Sequence, residues 1–144
     1  MLAVDDVVHV GLALKRSLES ELPQVHVEPT TDPRAATEST GPRPDVVLVD
    51  INMPEHYGIE VCMDILALPA NRRPVVVAMS AVATDRDLAV LRALGVRHYV
   101  PKDAAFVAAM SHVIRDLRHG GPPDDSPFRQ GGALEHRSPR GSMG

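Results

Sequence analysis

The chain has 144 residues, enough for one compact domain and too few for two comfortable ones. Its 15 Lys and Arg against 19 Asp and Glu give a formal net charge of −4, with no basic run of the kind that binds nucleic acid or an anionic membrane. Cys62 is the only cysteine, so no internal disulfide can form, and a reducing cytoplasm suits the chain. The N-terminus MLAVDDVVHV lacks the basic-then-apolar pattern of a signal peptide, and no apolar run is long enough to span a bilayer.

Along the chain, residues 2–4 form a short apolar run that ends in Asp5-Asp6. Residues 8–20 mix apolar and charged side chains at helical spacing. QVHVE, residues 24–28, alternates strictly and predicts a half-exposed or edge strand. Asp32 with Pro33 predicts a short helix to about Ser39. Val46-Val47-Leu48-Val49 is apolar on both faces, as a central parallel strand is, and it ends at Asp50. After the loop NMPEHYG a helix is expected over 59–68, and Pro69 to Pro74 break the chain. Residues 75–79 form a second fully apolar strand, ending at Ser80. A helix starts at Thr84 or Asp85 and stops at Gly95, a short strand covers 97–100, and Asp103 caps a last helix that runs to about Arg118.

Five strands alternating with five helices predict a doubly wound α/β fold with a parallel sheet and helices on both faces. In such a sheet a ligand site lies beyond the C-terminal strand ends. There the sequence places Asp5-Asp6, Asp50, Ser80 and Lys102, brought from four distant parts of the chain to one rim. Three converging carboxylates repel one another unless a cation sits among them, and hard oxygen ligands suit Mg²⁺. A nearby ammonium and hydroxyl add donors for an anion. Together these are the parts of a phosphoryl-transfer site, with Asp50 as nucleophile, Asp6 as a direct metal ligand and Asp5 acting directly or through water. From His119 onward the composition turns to Gly, Pro, Ser and charge, so a domain over 1–118 followed by a flexible tail over 119–144 is expected.

The pieces Asp5-Asp6, VVLVDINMPEHYG, VVVAMSA and HYVPKDA, in that order, resemble the receiver domain of two-component response regulators, the family that includes the chemotaxis response regulator. The intervals agree as well: 44 residues from Asp6 to Asp50, 30 on to Ser80 and 22 on to Lys102. The resemblance covers roughly residues 1–118. It implies a flavodoxin-like sheet of order 2-1-3-4-5 and phosphorylation of Asp50 by a histidine kinase. It implies Mg²⁺ held by Asp5, Asp6, Asp50 and the backbone carbonyl of Asn52. Ser80 is then the hydroxyl that moves to the phosphoryl group, Lys102 the lysine that pairs with phosphate, and Tyr99 the switch aromatic that turns inward. Met53-Pro54 and Gly58 match the loop and turn after the phosphorylated residue. The surface expected to change, and to mediate homodimerisation or docking, lies over 84–118.

The first strand is shorter than usual, which suggests a trimmed start. Many relatives have a Pro after the lysine. Here Pro101 precedes Lys102 and Asp103 follows it, which looks more like the NarL/LuxR-type transcription regulators, although the chain carries no helix-turn-helix. Two other functions compete: a partner-binding receiver that is not phosphorylated, and an aspartyl-phosphate hydrolase of the haloacid dehalogenase type. The hydrolase needs a second Asp two residues after the nucleophile, where this chain has Asn52. His9, His56 and His98 read as surface residues, and Cys62, Met79 and Met110 as core.

Overall fold

The computed structural model describes residues 1–38, 43–53 and 58–119. In chain order its elements are β1 (Leu2–Val4), α1 (Val8–Glu21), β2 (Glu28–Thr30), α2 (Ala35–Glu38), β3 (Val46–Asp50), α3 (Gly58–Leu66), a 3₁₀ turn (Ala70–Arg72), β4 (Val75–Ser80), α4 (Asp85–Leu94), β5 (His98–Pro101) and α5 (Phe106–Arg118). The strands pair in parallel in the order β2-β1-β3-β4-β5. This is the doubly wound fold expected from the strand–helix alternation, in the flavodoxin-like strand order that the family resemblance implies.

The sheet separates two apolar cores. Along β3, Val47 and Val49 face α3 and α4, while Val46 and Leu48 face α1 and α5. β4 divides in the same way, with Val76 and Ala78 on one side and Val77 and Met79 on the other. A strand buried on both faces needs apolar residues at every position, which is why these two runs do not alternate. Each fully buried Val or Leu contributes about 1.5–3 kcal/mol, so β3 and β4 are firmly held. Cys62, Met79 and Met110 lie in the core as the sequence suggests.

Helix ends fix the loops above the sheet. Thr84 accepts the Asp87 N–H and Asp87 accepts the Thr84 N–H, a reciprocal capping box that starts α4. Gly95, at φ 99°, ends α4 in the left-handed region that a Cβ disfavours. Gly58 opens α3 for a different reason. A Cβ there would lie 2.3 Å from the carbonyl oxygen of Asp50 and 2.3 Å from Cα of Ile51, so only glycine lets α3 start directly against the end of β3.

Several sequence expectations are corrected. The second strand is Glu28–Thr30, not residues 24–28. The Val27 N–H donates to Glu19 Oε2 at 2.8 Å and the Val27 carbonyl accepts from Lys15 Nζ at 3.0 Å, so α1 side chains take the groups a ladder would use. Pairing begins one residue later, where the Glu28 N–H donates to the Met1 carbonyl. Pro29 then sits in an edge strand, the place where a missing N–H is tolerated. β5 runs one residue later than expected. α5 begins at Phe106; Asp103 makes a turn ahead of it, accepting the Ala105 N–H at 2.9 Å. His98 is not a surface residue: it is only 4% exposed, on the strand face that packs toward α1 and α5. The expected end of the short helix at Ser39, the loop residues Pro54 and His56, and the tail from residue 120 lie outside the described residues.

Candidate functional site

Asp5 and Asp6 follow β1, Asp50 ends β3, Ser80 ends β4 and Lys102 follows β5. All four strands point the same way, so their C-terminal ends form one rim and the expected residues meet there. Carboxylate oxygens of Asp5, Asp6 and Asp50 lie within 4.8 Å of one another.

Asp5 and Asp50 are held in matching ways. Asp5 Oδ1 accepts the Val7 N–H at 2.9 Å, and Asp50 Oδ1 accepts the Asn52 N–H at 3.0 Å. Each aspartate thus uses one oxygen to bind its own chain two residues on, the local turn that Asp favours at a strand end. The other oxygen of each meets Lys102, whose Nζ is 2.6 Å from Asp5 Oδ2 and 3.2 Å from Asp50 Oδ2. The Lys102 N–H donates to the Ser80 carbonyl at 2.8 Å, which anchors the base of that side chain to β4. Asp6 is the most solvent-accessible of the three acids.

The electrostatics follow from this packing. Asp5 is only 2% exposed, and loss of hydration pushes its carboxyl above the ordinary range. The Lys102 and Val7 hydrogen bonds oppose that rise, the Lys102 charge opposes it further, and the Asp50 charge adds to it. Three carboxylates against one ammonium leave the rim with an excess of two negative charges when all are ionised. The donor set is entirely hard oxygen and comes from three points around one space, which fits a small divalent cation.

Ser80 is fully buried, and its hydroxyl is committed elsewhere. Ser80 Oγ donates to Asn52 Oδ1 and lies 2.5 Å from the Val82 carbonyl, while it accepts the Val82 N–H at 3.0 Å. Tyr99 is 3% exposed, its ring in the α3/α4 core and its hydroxyl 3.5 Å from the Ser80 carbonyl. Burial raises the Tyr99 phenol above its ordinary value. The ring therefore already lies inside the core. The family resemblance implies a role in the site only for the backbone carbonyl of Asn52. Asn52 could have been found from its place two residues after Asp50; nothing in the sequence points to Val82.

The family model of the response regulator receiver domain matches residues 1–114. The chain belongs to the response regulator receiver domain family. Two receiver structures are similar at modest identity. The signal receiver domain of a DNA-binding response regulator from Colwellia psychrerythraea 34H shares 26% identity over 82% of this chain and 96% of that one, with a TM-score of 0.71. A response regulator receiver protein from Burkholderia phymatum shares 27% over 85% and 95%, with a TM-score of 0.61. The Mn²⁺-bound form of response regulator Rcp1, at 21% identity over 85% and 96% and a TM-score of 0.68, shares the fold. No curated protein matches the chain. Among the described residues of this receiver domain, no helix is long and apolar enough to cross a membrane.

Proposed function

We propose that this receiver domain accepts a phosphoryl group on Asp50 from a histidine kinase in a Mg²⁺-dependent reaction and passes the event to a downstream output. The observation that carries this reading is the shared grip of Lys102 on Asp5 and Asp50 beside Asp6, which unites a carboxylate nucleophile, a cation-binding acid cluster and an anion-binding ammonium.

An oxygen of Asp50 attacks phosphorus, and the bond from phosphorus to the phosphohistidine nitrogen breaks. The imidazole leaves with the electron pair and takes up a proton from solvent. Asp5, Asp6, Asp50 and the backbone carbonyl of Asn52 would hold the metal. When bound, Mg²⁺ neutralises charge on the transferring phosphoryl oxygens. Lys102 keeps its hold on the product by pairing with a phosphoryl oxygen, and Ser80 donates its hydroxyl to another. Tyr99, already packed behind β4, reports the Ser80 shift to α4, β5 and α5. That face, residues 84–118, is where homodimerisation or partner docking would respond, and residues 119–144 serve as a linker or tail. The chain would act in the cytoplasm, where its kinase partner's phosphodonor domain is found. A second reading makes it the receiver part of a NarL/LuxR-type transcription regulator; the order Pro101-Lys102-Asp103 favours it.

Acetyl phosphate is the direct chemical test. With Mg²⁺ the intact protein should gain one phosphate mass, and the gain should vanish when EDTA removes the metal. Absence of any adduct under conditions that label a known receiver would refute the reading.

A further inference from the structure

The Asn52 side chain has no part in the reading above, although it touches the one hydroxyl that reading requires to move. We infer that Asn52 is a positioning residue whose amide oxygen latches Ser80 away from Asp50 until phosphorylation. The inference rests on the proposed phosphoacceptor role of Asp50.

Ser80 Oγ has a single proton, and Asn52 Oδ1 and the Val82 carbonyl both stand where they can accept it. Its acceptor side is also occupied, by the Val82 N–H at 3.0 Å. Asn52 Oδ1 further lies 3.5 Å from the Val82 nitrogen, so the amide oxygen bridges the loop after β3 and the loop after β4. Ser80 is 0% exposed, so no bulk water stands ready to take over a broken bond. A buried hydroxyl that leaves its acceptor must find another at once. The phosphoryl oxygens on Asp50 are that second acceptor, and a charged one, so the exchange favours movement once phosphate arrives. Before that, the latch opposes it. Asn52 is well placed for this because its N–H is already tied to Asp50 Oδ1, which fixes the amide beside the acceptor residue.

The consequence is a double-mutant relationship that can be measured with beryllofluoride, a phosphoryl mimic, in the presence of Mg²⁺. The Asn52→Ala variant keeps the backbone carbonyl and loses only the latch. Beryllofluoride should bind it about 2- to 10-fold more tightly than the parent, the value of one hydrogen bond. In the Ser80→Ala background the same Asn52→Ala change should have no effect, because nothing remains to be released. An Asn52→Ala effect that came through the metal would appear in both backgrounds, which separates the latch from the metal. Equal beryllofluoride affinity of parent and Asn52→Ala overturns the latch. So does an Asn52→Ala effect that persists in the Ser80→Ala background, since Asn52 would then act on the anion or metal itself. A parent that shows no response to beryllofluoride overturns the phosphoacceptor reading and the latch with it.

Discussion

Lys102 Nζ lies 2.6 Å from Asp5 Oδ2, joining residues 97 positions apart across the rim of the sheet. Asp5 is already fixed through Oδ1 to the Val7 N–H, so the ion pair links the end of β1 to the end of β5 with little freedom at the carboxylate. The same ammonium reaches Asp50, which lies between them on β3. One cation thus bridges two acids that would otherwise face each other in a nearly dry space.

Removing that ammonium should expose the repulsion. Lys102→Ala leaves Asp5 and Asp50 unpaired, and a buried carboxylate that loses its partner costs about 1–3 kcal/mol. The variant should melt at a lower temperature than the parent in EDTA. Mg²⁺ should then raise its melting temperature more than it raises the parent's, because the metal replaces the missing positive charge. Thermal melts of both proteins with and without Mg²⁺ check this. An equal Mg²⁺ effect on the two would mean that the lysine does not share the acid cluster.

Asp6 is the acid that the lysine does not hold, which frees it for a metal. Asp6→Ala should weaken Mg²⁺ binding by at least tenfold while changing the stability of the metal-free protein by less than about 0.5 kcal/mol, as an accessible surface substitution does. An NMR titration of amide shifts around Asp5, Asp6 and Asn52 gives the affinity. Parental affinity in the variant would place the metal elsewhere.

Gly58 should not tolerate a methyl group. Its Cβ would stand 2.3 Å from two backbone atoms of Asp50 and Ile51, neither of which can rotate away. Gly58→Ala should destabilise by about 1–3 kcal/mol through displacement of α3 or of the β3 end. Because the displaced backbone carries Asp50, the rate of labelling by acetyl phosphate should fall as well. Denaturant unfolding and a labelling time course measure the two effects separately.

Cys62 gives a built-in report of opening. It is fully buried in the α3 side of the core, and burial pushes its thiol from 9.0 up to about 12. The unfolded chain therefore ionises the thiol before the folded one does. The stability this residue contributes is whole below pH 9 and is lost as pH rises from about 9 toward about 12. Cys62→Ala should flatten that part of the alkaline stability profile. At pH 8 the thiol should be inert to an alkylating reagent in the folded protein and reactive in denaturant; rapid alkylation of the native protein would contradict the packing.

What was legible in the sequence follows from how each residue is used. β3 and β4 could be read because burial on both faces demands an unbroken apolar run, and Asp50 and Ser80 were visible as the polar residues that end those runs. α4 could be read because Thr84, Asp87 and Gly95 are local signals with local partners. β2 was misplaced because an alternating pattern does not reveal that Glu19 and Lys15, one helix earlier, take the backbone groups of Val27. His98 was misjudged because its burial is decided by α5 packing over an edge strand, which no short window of sequence contains. The site acids were found by the rule that strand ends converge, but which oxygen of each meets Lys102 depends on turns at Val7 and Asn52 that only the fold defines.

The central claim is that Asp50 is the residue phosphorylated, and its chemistry offers a direct readout. Borohydride reduces an aspartyl phosphate to homoserine and leaves ordinary carboxylates intact. Protein treated with acetyl phosphate and Mg²⁺, then with borohydride and protease, should contain homoserine at position 50 alone when the peptides are sequenced by mass spectrometry, and Asp50→Asn should yield none. Homoserine at Asp5, Asp6 or another acid in the parent, or an undiminished yield in Asp50→Asn, would contradict the account.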